Sequence, residues 1–114
     1  MKVSAEERDG VAVLRLRGRL LGGPQCADCI GEAVREAGRD GTLRVLLDLG
    51  HVEIVNSGGL GILLVNHRWL ERRGGALKLL NVTKRVQNVL MITDLITVFE
   101  SYRNEDHAVA SFAA

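Results

Sequence analysis

The sequence has no apolar run approaching the ~20 residues that a membrane-spanning helix needs. Its beginning, Met1-Lys2-Val3-Ser4-Ala5-Glu6-Glu7-Arg8, lacks the apolar segment of a signal peptide. No membrane insertion is therefore expected, and a cytoplasmic location is. An excess of one charge is also missing: 15 Lys and Arg stand against 14 Asp and Glu, a formal net charge of +1. That balance gives no reason to expect direct nucleic-acid binding or a polybasic membrane patch. Basic residues alternate with acids, as in Glu71-Arg72-Arg73, the pattern of a solvated face. Cysteine is scarce, and Cys26 and Cys29 form a lone C-x-x-C. Two cysteines cannot complete a zinc site, and His51 and His67 lack a ligand spacing. The pair reads either as a redox motif at a helix start or as two small residues on a buried helix face. Ile30, Ala33 and Ala37 continue the helical spacing and favour the second reading. Internal repeats, low-complexity tracts and interior linkers are absent too.

What is present suits one globular domain over residues 1–114, being 46% hydrophobic and 25% charged. Val11 to Arg17 alternates as a strand, with Ala12, Leu14 and Leu16 on one side. Asp9-Gly10 predicts a hairpin to an antiparallel first strand near residues 3–7. Gly18 to Gly23 reads as a loop, and Pro24 opens a helix to about Arg39. Leu43 to Leu49 is apolar on both faces until Asp48, as in a central strand covered on both sides. A helix follows from Leu60 to the exit at Gly74-Gly75, then a strand over Ala76 to Leu80. Thr83 is expected to cap a short helix, residues 97–99 to form a last strand, and Asn104-Glu105-Asp106 to open a final helix. The fold class is α/β, a single mixed but mainly parallel sheet in the order β-β-α-β-α-β-α-β-α. It has an antiparallel N-terminal edge hairpin and about four helices.

The junction Asn56-Ser57-Gly58-Gly59-Leu60-Gly61 carries the chemistry. Backbone N–H groups and the positive end of a helix dipole gather where a helix begins, which suits phosphate. A Ser57 nucleophile would need a base such as His51 or His67 and an acid such as Asp48 or Asp94. The first Gly of a G-x-S-x-G elbow is missing, and His67 lies more than two helical turns away. A nucleotide site is poorly supported as well, since neither a P-loop nor G-x-G-x-x-G is present. A small hydrolase using Ser57 stays open as a weaker reading, and no cofactor is expected. A purely structural reading has Asn56 or Ser57 capping the helix while the glycines permit close packing.

The strand ending Asp48-Leu49, followed by Val55-Asn56-Ser57-Gly58-Gly59-Leu60-Gly61-Ile62-Leu63-Leu64, resembles the STAS domain of bacterial anti-sigma-factor antagonists. The resemblance extends over nearly the whole chain. It implies a protein-binding module without enzymatic activity of its own, with phosphorylation at Ser57, the phosphoryl donor being ATP held by a partner kinase that is itself an anti-sigma factor. Unphosphorylated, such a protein binds the kinase and frees a sigma factor; phosphorylated, it lets go. Asn56, Gly58, Gly59 and Leu60 would shape the docking surface, with Leu20 and Leu21 as an apolar patch beside it. Asn56 stands where the family carries Asp, and Gly58 where it usually carries Ser or Thr. The alternative is a STAS subunit of a signalling or lipid-transport assembly that is never phosphorylated. A monomer and a weak homodimer are both compatible with the sequence.

Overall fold

A computed structural model describes residues 1–113, so Ala114, the last residue of the expected domain, lies outside the described residues. The element order is β1 Lys2–Arg8, β2 Val11–Leu20, α1 Pro24–Arg39, β3 Arg44–Val55, α2 Ser57–Glu71, β4 Ala76–Leu80, α3 Lys84–Ile92, β5 Ser101–Tyr102 and α4 Glu105–Ser111. The strands lie side by side in chain order; β1 and β2 are antiparallel and every later pair is parallel. Asp9 and Gly10, at φ 50° and 78°, make the expected two-residue hairpin turn and set Arg8 opposite Val11.

Alternation along β2 splits the interior into two layers. Ala12, Leu14, Leu16 and Leu20 point to a large core shared with Ile30 and Val34 of α1, Leu60, Leu63 and Leu70 of α2, and Val86 and Leu90 of α3. Val11 and Val13 point the other way, meeting Leu46, Leu80 and the α4 residues Ala108, Val109 and Phe112. Burial on both faces explains why β3 reads as a continuous apolar run.

Three expectations need correction. The last strand is Ser101–Tyr102, not residues 97–99. It is held by Leu79 N–H to the Glu100 carbonyl and Asn81 N–H to the Tyr102 carbonyl, both at 2.9 Å. Residues 97–99 form a turn that instead drops Phe99 into the core against His67, ring centroids 5.3 Å apart. Strand β3 runs on to Val55, because β2 continues past Gly18 as its partner through two register shifts. Leu20 therefore ends a strand rather than sitting in a loop, and it is 0% exposed. The patch expected from Leu20 and Leu21 shrinks to the half-buried Leu21.

An ionic cluster ties α4 to the sheet. Arg15 donates to Asp48 at 3.0 Å, to Glu105 at 2.8 Å and to Glu6. Arg8 pairs with Glu105 and, at 2.6 Å, with Asp106. The Arg15 hydrogen bond holds the Glu105 carboxyl below its ordinary value of 4.5; partial burial opposes it and Arg8 adds to it. A depressed carboxyl stabilises the fold above its ordinary value and loses that contribution as pH falls through the depressed one. Glu105→Gln is thus expected to lower stability at neutral pH and to match the parent in strong acid. Urea unfolding across the acid range measures the converging difference.

Candidate functional site

Ser57 opens α2 at the end of β3, and its side chain is exposed. Among the described residues it takes part in no side-chain hydrogen bond, whereas the side-chain oxygen of the residue before it accepts two. Asn56 has extended backbone, φ −127° and ψ 176°, and is the N-cap. Its Oδ1 accepts from Gly59 N–H at 2.8 Å and from Gly22 N–H at 3.1 Å. One amide oxygen thus satisfies a helix-start donor and fastens the β2–α1 turn to the same place. Asn56 N–H in turn donates to the Leu20 carbonyl at 3.3 Å. Replacing Asn56 by alanine leaves two donors without that acceptor and is expected to cost about 1–2 kcal/mol. Chemical denaturation reads this directly.

The paired glycines are spacers between two backbones. A Cβ on Gly58 would lie 2.9 Å from Gly22 Cα, so a Ser or Thr there would force the turn away. A Cβ on Gly59 would overlap the Leu20 carbonyl oxygen and sit 2.7 Å from its carbon. Gly61 is different. A Cβ there meets nothing within 4 Å, so no neighbour within the chain requires its absence.

These contacts sort the nominated residues. Asn56, Ser57 and Gly58 are exposed and form the surface, with half-buried Leu21 in the neighbouring turn. Gly59 and Leu60 are buried beneath it and act by fixing the helix against β2. Gly22 belongs with them and was not anticipated from the sequence. Its signal was the tandem Gly22-Gly23, which reads as an ordinary loop until its partner Gly58 is in view.

No catalytic triad forms around Ser57 among the described residues. His67 lies ten residues along α2, about 15 Å by helical rise, with Nε2 at 3.4 Å from Glu71. His51 is six residues back along β3, about 20 Å by strand rise. Asp48 accepts from Arg15, from Asn81 Nδ2 at 3.2 Å and from Gly50 N–H at 3.0 Å. No cluster of three potential metal ligands occurs among the described residues. Cys26 and Cys29 are both free thiols, half-buried on α1. What remains at the site is an accessible hydroxyl on a stiff support, at the electropositive start of a helix with no acid in its first turn.

Comparison with known proteins agrees with this architecture. The family model described as STAS domain matches residues 2–108. The anti-sigma F factor antagonist of Paenibacillus polymyxa is 26% identical over 110 residues, covering 96% of this chain and 92% of that protein. The crystal structure of an anti-sigma factor antagonist from Mycobacterium paratuberculosis superposes with a TM-score of 0.81 at 23% identity, covering 99% of this chain and 94% of that one. The Bacillus cell fate determinant SpoIIAA, solved in its phosphorylated form, gives 0.72 at 21% identity over 96% of this chain and 98% of its own.

Proposed function

The chain belongs to the STAS domain family, and we propose that it is a cytoplasmic anti-sigma-factor antagonist switched at Ser57. Unphosphorylated, it binds an anti-sigma-factor serine kinase and so frees a sigma factor. The kinase, which holds the ATP, transfers the γ-phosphoryl group to Ser57 Oγ; the O–H proton leaves, ADP is released, and the complex separates. The observation that carries this reading is the exposed, unengaged Ser57 hydroxyl beside the doubly bonded Asn56 cap. An acceptor hydroxyl must be reachable by another protein's active site and free of competing bonds, and this one is both. Gly61 supports the same surface. A mid-helix glycine costs roughly 1 kcal/mol relative to alanine, and the open space above it leaves room for close approach by a partner backbone.

The experiment is incubation with the cognate kinase and ATP, followed by mass spectrometry of the parent and of Ser57→Ala. Phosphate confined to the parent supports the assignment; equal phosphate in both removes it. A second reading, a STAS subunit that is never phosphorylated, draws support from Asn56, whose uncharged amide replaces the family's carboxylate at the site. Absence of phosphate in the parent, together with co-purification of a transporter ATPase instead of a histidine-kinase-like ATPase, favours that reading.

A further inference from the structure

A second surface lies along the outer face of α2, well away from Ser57. Leu64, His67, Arg68, Glu71 and Arg72 line a groove of about 450 Å³ whose far wall is Val98. Leu64 and Val98 are its apolar walls and the other four lining side chains are polar or charged; Val65 on α2 is 65% exposed, and Ile92, Ile96 and Val98 are exposed along the end of α3 and the segment after it. That segment is fixed to α2 by Phe99 packing on the His67 ring, so the groove is a formed feature. Its formal charge is net positive, two arginines against one glutamate. Glu71 faces His67 at 3.4 Å, while Arg68 and Arg72 are exposed and make no ion pair among the described residues.

We propose that this groove docks a segment of a partner protein that presents an aliphatic side chain flanked by Asp or Glu. The aliphatic group fits between Leu64 and Val98, and the carboxylates meet the two guanidinium groups, which recognise carboxylates through paired donors. The charge pattern selects this occupant over a lipid surface. Anchoring to anionic lipid takes a cluster of roughly four to eight cations, and this face offers two unpaired ones in a concave setting. Arg68 is eleven residues beyond Ser57, about 16 Å along the helix. Screening acts over about 8 Å at physiological salt, so a phosphate on Ser57 hardly alters the field in the groove. The groove is thus a contact that persists through a change at Ser57, and it stands whether or not Ser57 is modified.

The test uses the full chain and a short fluorescent peptide of Leu and Glu residues, with a Leu and Lys peptide as control. The acidic peptide is expected to bind saturably and to shift backbone amide resonances in residues 64–72 and 95–99. Its affinity is expected to fall at least about tenfold, or ~1.4 kcal/mol, in the Arg68→Glu, Arg72→Glu double variant. Both positions are solvent-exposed, and circular dichroism checks that the variant is folded. Equal binding of the basic peptide, unchanged affinity in the double variant, or resonance shifts elsewhere would overturn the proposal. So would phosphatidylserine vesicles taking the groove in place of the peptide, or self-association of the chain through it.

Discussion

Replacing Gly59 by alanine is expected to destabilise the protein by about 3 kcal/mol or more, a larger loss than most single substitutions cause. The added methyl would occupy the space of the Leu20 carbonyl, which already accepts from Asn56 N–H. Neither side can yield cheaply. Leu20 is the last residue of β2, paired with Val55 and fully buried, and moving it breaks the register that carries β3 to the site. Moving α2 instead pulls Leu60 and Leu63 out of the core. Either route also breaks the Asn56 clip, because Gly59 N–H is one of its two donors. Urea denaturation of Gly59→Ala measures the loss, and Gly61→Ala is the matched control, since its new methyl enters open space. A Gly59→Ala protein as stable as the parent would show that β2 and α2 are not in fixed contact there.

That contact marks where the sequence stops being legible. Local signals marked most elements: alternation in β2, the Asp9-Gly10 turn, Pro24 at the start of α1, and Thr83 as the α3 cap, accepting from Val86 N–H at 3.3 Å. Each depends on neighbours a few residues away. Ser57 was legible for the same reason, as a polar residue at a helix start. Features made by distant segments were not. The Gly22–Gly58 approach joins residues 36 positions apart, and Arg15 meets Glu105 across 90. Nothing local in Gly18-Arg19-Leu20-Leu21 says that β2 continues, because its continuation depends on β3 being long enough to pair with it. The last strand was misplaced because Phe99 was read as part of a strand when it fills a gap beside His67, and two residues pair further on.

Phosphorylation of Ser57 is expected to weaken the complex with the kinase at least about a hundredfold, or ~2.8 kcal/mol. A phosphate brings roughly −1.5 to −2 charge at neutral pH. If Ser57 lies at the centre of the interface, that charge has to be desolvated against whatever the partner presents, at a cost of several kcal/mol when no cation answers it. The free protein faces no such cost. The hydroxyl points to solvent, no acid occupies the first turn of α2, and the dipole favours a negative group there by about 0.3–1 kcal/mol. The modified protein should therefore melt no lower than the parent while its affinity collapses, which is the signature of a local clash and not of unfolding. Asn56 sharpens this contrast. Its amide adds no charge beside the phosphate, and its Oδ1 keeps accepting from Gly22 and Gly59 N–H, so the support beneath Ser57 is the same before and after transfer. Calorimetric titration of both forms into the kinase, paired with thermal melts, reads the two quantities separately. Equal affinities would remove the switch from Ser57, and a large drop in melting temperature would place the effect in the fold instead of the interface.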